Sequence, residues 1–317
     1  MRILLMKTSS LGDVIHNLPV VSDIKRHFPD ATVDWCVEES FADIPRLHPG
    51  VNQVIPVALR RWKKKLFQGS TWGEIKAFKA ALHATNYDLI IDTQGLTKSA
   101  LLTRLAQGTV AGYDAQSIRE PFASRFYQHR HAIAKTAHAV VRNRQLAAAA
   151  LGYTDETPPD YGLSAPSTAA DWLPASPYIV MLSATSRDDK LWPESHWIEL
   201  GQALRQRGLH SIFVGGNPIE RERATRLASA VPDALCAPPL KLPALASLLA
   251  GAQAVVGVDT GLTHLAVALN TPTVALYTAT DPGLTGVFGT GFHLNLGGKG
   301  QIPASSEVLS ALQPALA

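Results

Sequence analysis

A chain of 317 residues exceeds the roughly 100–150 that one core usually serves, so two domains are expected. Hydrophobic residues at 46% and charged residues at 17% exclude a disordered, collagen-like or low-complexity protein. A net charge of +3 is far from the footprint of a dedicated nucleic-acid binder, and no nucleic-acid partner is expected.

From end to end, short apolar or β-branched runs alternate with longer segments of helical period, the pattern of parallel sheets wrapped by helices. In the first half the spacing predicts strands at 2–6, 32–37, 51–56, 87–92 and 109–112, with helices at 13–27, 72–85, 97–106 and 135–151. The second half repeats the alternation. Its strands are predicted at 178–183, 211–214, 254–258 and 273–277, and its helices at 194–207, 218–230, 244–250 and 260–269. The expected fold class is therefore α/β, with domains at 1–157 and 178–302 and a last helix within 303–317. Residues 158–177 carry Pro158, Pro159, Pro166, Pro174 and Pro177, and proline fixes φ and removes a donor, so this segment reads as an extended linker. Two doubly wound domains would leave a cleft between the carboxyl ends of their sheets, where ligands bind.

Cys36 and Cys236 lie in opposite halves without zinc-ligand spacing, which suits a reducing cytoplasm. Ile3-Leu4-Leu5-Met6 is too short for a secretory signal core. The longest apolar stretch, 242–258, is interrupted by Pro243, Gly251 and Gln253, so it is expected to be a buried helix and strand rather than a span.

Five segments carry candidate chemistry. Lys7-Thr8-Ser9-Ser10-Leu11-Gly12-Asp13 follows the first strand, where small residues let backbone N–H groups approach a ligand. With one glycine it is not a dinucleotide fingerprint. Asp13 is there either a helix cap or a general base. Next, residues 60–79 hold seven basic residues and one acid, Glu74, a local +6 that leaves −3 over the rest of the chain. The run is either a solvated face or a surface for phosphates and carboxylates, to which Arg119 and Arg125 could add. After the first strand of the second half comes Thr185-Ser186-Arg187-Asp188-Asp189-Lys190, with hydroxyls and a lysine suited to phosphate. Finally, the strand ending at Val258 runs into Asp259-Thr260-Gly261-Leu262-Thr263-His264, whose helix start offers free N–H groups. Asp259 is alternatively a cap, and His264 a core histidine. Gly215-Gly216-Asn217-Pro218-Ile219-Glu220 opens another helix, with Glu220 or Glu222 placed to accept ribose hydroxyls or simply to favour the dipole.

Taken in order, residues 7–13, Val14-Ile15-His16, 60–65, 185–193 and 259–264 resemble the lipopolysaccharide heptosyltransferases of glycosyltransferase family 9, over essentially the whole chain. The K-T-S-S-x-G-D-V start and the R-R-W run resemble the branch that adds the first heptose, although lysines replace arginines within the run. The resemblance implies a GT-B fold, two Rossmann-like domains with an inter-domain cleft and a C-terminal helix crossing back to the first domain. It also implies inverting transfer of L-glycero-D-manno-heptose from ADP-heptose to the Kdo of Kdo-lipid A. Asp13 is the implied base. Thr185, Ser186, Lys190 and the N–H groups of Thr260 and Gly261 would stabilise the departing ADP, with Glu220 on the ribose, Asp259 on heptose hydroxyls and His264 in the same motif. Ser9, Ser10, Gly12, Arg60, Arg61, Lys63, Lys64 and Arg119 would meet the acceptor at the anionic cytoplasmic face of the inner membrane, as a peripheral protein. Nothing resembles a DxD metal site, so neither a divalent ion nor a cofactor is expected. The rival readings are the second-heptose enzyme, a nucleotide-sugar epimerase and a silent nucleotide-sugar or anionic-lipid binder.

Overall fold

The computed structural model describes residues 1–154, 156–166 and 171–316, and divides the chain into units 1–164 and 165–317. The first unit carries β1 (Arg2–Met6), β2 (Thr32–Glu38), β3 (Val51–Val57), β4 (Asn86–Asp92), β5 (Gln107–Tyr113) and β6 (His129–His131) in one parallel sheet of order β3-β2-β1-β4-β5-β6. The second carries β7 (Tyr178–Leu182), β8 (His210–Phe213), β9 (Leu235–Cys236), β10 (Ala254–Val258), β11 (Thr273–Tyr277) and β12 (His293–Gly297), in the order β12-β11-β10-β7-β8-β9. Read from the other edge, that is the same topology. β7, β10 and β11 are buried along their whole length, as strands covered on both faces must be, and their apolar runs follow from it.

The predicted central strands are present, with ends within two residues. β6, β9 and β12 were not predicted: they are short or polar edge strands, without an apolar run to announce them. The single helix expected at 13–27 is two, Leu11–Ile15 and Leu18–His27. Pro19 explains the break, because proline is tolerated in a helix's first turn and excluded from its interior. Residues 60–64, for which no element was predicted, lie in the helix Leu59–Lys64. In the linker, the described residues form no helix or strand, while residues 167–170 lie outside the described residues.

The last helix, Ser305–Leu316, packs on the second unit, with Val308 and Leu312 buried in that unit's core. Its apolar positions 308, 312 and 316 recur at helical spacing and seal the face of β10 and β11 beside the helix Glu194–Arg205. The expected helix end at Ala317 lies outside the described residues. Trp192, Trp197 and Phe213 anchor the same core, Trp192 and Trp197 meeting edge-on at 4.9 Å.

Gly257 in β10 lets the next helix start close against the strand. A methyl group there would overlap Thr263 Oγ1 and press on Leu182. Gly257→Ala is expected to destabilise the second unit by about 1–3 kcal/mol, the usual range for overpacking, read as a lowered urea midpoint of its unfolding.

Candidate active site

In each sheet the strand order reverses between two neighbours, β1 and β4 in the first unit, β7 and β10 in the second. Loops leaving the carboxyl ends of such a pair diverge to opposite faces and open a ligand crevice. Three of the singled-out loops leave these two pairs: 7–13 follows β1, 185–190 follows β7 and 259–264 follows β10. The glycine-bearing turn 215–220 leaves the adjacent β8.

In the first unit Ser10 is the cap of Leu11–Ile15 and Asp13 is the third helical residue, so Asp13 is not itself the cap. Ser10 donates to Asp13 Oδ2 from its amide (2.8 Å) and its hydroxyl (3.0 Å). One oxygen thus orients the carboxylate, and among the described residues Oδ1 has no hydrogen-bond partner, which leaves it to accept a proton. Beneath the turn, Thr8 and Ser9 donate their amides to Gln94 Oε1 at 2.9 Å each. The buried Lys7 ammonium donates to the Thr93 carbonyl at 2.7 Å, and burial lowers its pKa against the pull of Asp13 and Asp92. Asp92, buried below, accepts from Tyr127 OH (2.7 Å), Ser99 Oγ (2.8 Å) and the Gln94 amide (2.9 Å). Burial nevertheless pushes its carboxyl up. This buried, hydrogen-bonded floor fixes the 7–13 turn.

Lys98 was not singled out from the sequence, yet its ammonium donates to Ser9 Oγ at 3.0 Å. Burial lowers its pKa, and the charges of Arg60 and Lys63 lower it further. The available signal was that Thr97-Lys98-Ser99 follows β4 in the same strand-loop-helix arrangement as 7–13 follows β1. Arg60 lies over the Phe41 ring at 5.2 Å, and its amide donates to Glu38. Lys63, Lys64 and Arg119 are exposed, and Arg119 is close enough to depress Lys7. Arg61 stands apart: both arms of its guanidinium are committed, to Glu39 at 2.9 Å and to Glu74 at 2.7 Å. These pairs brace the helix Leu59–Lys64.

In the second unit a cavity of about 220 Å³ opens at the β7/β10 edge. Leu182, Val214, Pro238, Leu240, Leu245 and Leu262 supply apolar wall, while Thr185, Ser186, Gly215, Gly216, Glu220 and Thr260 supply polar groups. Gly215 is required there because a Cβ would strike the backbone of Glu220 and Arg221. Glu220 Oε2 accepts the Gly216 amide at 2.8 Å and closes a capping box with Asn217, so the carboxylate is held at the rim of the cavity. Thr260 caps the helix Gly261–Ala268, which leaves Asp259 free of the capping role.

Asp259 instead gathers partners. Lys190 Nζ and Thr280 Oγ1 each donate to its Oδ2 at 2.7 Å, and His264 Nε2 lies 3.9 Å from Oδ1. The Thr185 hydroxyl donates to the Asp259 carbonyl at 2.9 Å and ties the two loops together. Burial pushes the Asp259 carboxyl up, but the neighbouring His264, the hydrogen bonds from Lys190 and Thr280 and the Lys190 charge outweigh it, holding the group well below the usual carboxylate range. In this structure, then, Lys190 faces the carboxylate of Asp259, the residue before the cavity-lining Thr260. Thr280, after β11, was missed because a lone hydroxyl in a loop carries no sequence signal.

Two Rossmann-like units, one with a cavity at its switch point and one with a carboxylate on the turn after its first strand, are the architecture of a GT-B glycosyltransferase. The chain matches glycosyltransferase family 9 (heptosyltransferase) over residues 75–306. It is 51% identical to lipopolysaccharide heptosyltransferase 1 of Pseudomonas aeruginosa, over 91% of this chain and 82% of that one. It is 49% identical to lipopolysaccharide heptosyltransferase 1 of Escherichia coli, over 91% of both chains. The solved structure of E. coli heptosyltransferase WaaC with ADP superposes with a TM-score of 0.91 at 45% identity, covering 99% of this chain and 100% of that one. The chain belongs to glycosyltransferase family 9, the heptosyltransferases.

A folded-state pKa below the unfolded one adds stability that is complete above the ordinary carboxylate value of about 4 and is lost as pH falls through the folded value. Lys190→Met removes the cation and lets the Asp259 pKa rise. The variant is expected to be less stable at pH 7 by about 1–3 kcal/mol, the cost of a buried charge left unpaired, with the gap closing below pH 4. Urea unfolding at pH 7 and pH 3.5 checks this; a gap independent of pH contradicts it.

Proposed function

We propose that this heptosyltransferase moves L-glycero-D-manno-heptose from ADP-heptose to the Kdo of Kdo-lipid A, with inversion at the anomeric carbon. The single observation that carries the reading is the cavity at the β7/β10 switch point, lined by both apolar side chains and polar groups, as suits a nucleoside diphosphate. The apolar wall takes the adenine. Glu220, already fixed at the rim, accepts ribose hydroxyls, and the amides at Thr260 and Gly261 face the diphosphate at the start of a helix. Thr185 and Ser186 add hydroxyls. Lys190, swung from Asp259 or shared with it, neutralises charge on the leaving ADP, while Asp259 and His264 hold heptose hydroxyls.

On the acceptor side, Asp13 takes the proton of the attacking Kdo hydroxyl on Oδ1, with Oδ2 kept in place by Ser10. Ser9, Ser10 and Gly12 line the turn. Arg60, Lys63, Lys64 and Arg119, joined by Lys98, supply positive charge for the Kdo carboxylates and lipid A phosphates. The first-heptose reading is favoured over the second because the relatives near 50% identity carry the first-heptose name. Among the described residues no helix is long and apolar enough to cross a membrane, so contact with the cytoplasmic membrane face is peripheral in this reading.

ADP release from ADP-heptose is expected only when Kdo-lipid A is present; acceptor-independent release would favour an epimerase or hydrolase, and no release a silent binder. In the same assay Asp13→Asn is expected to lower kcat at least about a hundredfold, the range for losing a general base, with ADP-heptose affinity nearly unchanged. Near-normal turnover would reduce Asp13 to a capping-box residue.

A further inference from the structure

The turn between the helices Leu59–Lys64 and Gly69–His83 exposes apolar surface that nothing in the transfer reaction uses. Phe67 is fully exposed, Trp72 is 59% exposed and Leu66 is 44% exposed, all within seven residues. The turn is nevertheless rigidly built. Gln68 donates its amide to the Lys65 carbonyl (3.0 Å), Thr71 Oγ1 donates to the same carbonyl (2.8 Å), and the Trp72 indole N–H donates to the Leu66 carbonyl (3.0 Å). That last bond satisfies the only polar atom of the Trp72 side chain and leaves its ring for apolar contact.

A strut below holds the turn out. Trp62 is buried edge-on against Phe78, with ring centroids at 5.6 Å, and donates to Glu74 Oε2 at 2.7 Å. Glu74, the one acid of the 60–79 run, is thereby occupied with Arg61 and Trp62. Around the apolar tip every charged side chain other than the paired Glu74 is a lysine or arginine. Lys63, Lys64 and Lys65 precede it, and Lys76 and Lys79 share a helix face with Trp72 at spacings of four and three residues. All five are exposed, and none has an ion pair among the described residues.

We propose that Leu66, Phe67 and Trp72 form a wedge that enters the headgroup–acyl boundary of an anionic bilayer, with the surrounding lysines on lipid phosphates. This rests on the heptosyltransferase reading only for the location of the substrate, not for the binding itself. An apolar tip ringed by lysines is the composition that lies in a membrane interface: the apolar residues sink about 5–10 Å, and lysine stems snorkel to the headgroups. A second copy of the chain is a poor occupant, because it would bring like charge against like charge. The neighbouring Arg60 and Lys98 continue the positive surface to Ser9, so the wedge would hold the 7–13 turn close to the lipid plane from which an acylated substrate must rise.

The test is sedimentation of the full chain with vesicles of phosphatidylethanolamine and phosphatidylglycerol, free of any acceptor, at 0.1 and 0.5 M NaCl. The chain is expected to bind, to keep part of its binding at high salt, and to show fluorescence quenching by brominated acyl chains that disappears in Trp72→Phe. Leu66→Ser/Phe67→Ser/Trp72→Ser is expected to lose about tenfold or more in vesicle affinity, with thermal stability and transfer to a soluble Kdo acceptor unchanged. Phe67→Ser alone, which alters a fully exposed side chain, should lose part of it. Absence of wild-type binding, equal binding by the triple variant, or binding abolished by salt without quenching would overturn the proposal. So would dimerisation in solution that Phe67→Ser removes. Because the vesicles contain neither donor nor acceptor, a wrong assignment of the reaction would leave this result unaffected.

Discussion

An all-parallel sheet forces every strand to be followed by a crossover, and so places all the turns that follow strands along one edge. Where the strand order reverses, the two turns part and leave backbone amides and helix starts facing open space. The chain meets this constraint twice, at β1/β4 and at β7/β10, and its chemistry-bearing residues gather at those two places. The sheets are buried and apolar, so the polar atoms that matter are there because connectivity puts them there.

The two edges are built differently, and the difference matches their tasks. At β7/β10 the wall is half apolar and the helix starts are open, a receptacle for a ligand with a flat apolar part and an anionic part. At β1/β4 the turn lies on buried polar groups, Lys7, Gln94 and Asp92, satisfied by hydroxyls and amides. The capping box holds the Asp13 carboxylate through one oxygen and leaves the other open. The sequence left Asp13 as cap or base; in the structure Ser10 holds the cap position and Asp13 stands three residues on.

Much of this was legible in the chain. The central strands are continuous apolar runs and the loops that follow them begin with small or charged residues, so strand, turn and helix could be read from 2–27, 178–207 and 254–269. Three things could not. Edge strands such as His129–His131 have no burial to impose a pattern. The partnerships of Arg61 with Glu39 and Glu74, and of Lys190 with Asp259, join residues up to 69 positions apart, so charge content gave the residue types without their partners inside the fold. The last helix had the amphipathic spacing of a packed element, but spacing does not say which sheet it covers.

The central claim is that the nucleotide sits at the switch point of the second unit, and backbone amide chemical shifts on titration with ADP test it most directly. The account predicts the largest changes at 184–186, 215–220 and 260–264, with the 7–13 turn little affected. Changes centred on the first unit, or at the opposite edge of the second sheet around Tyr178 and Gln253, would contradict it.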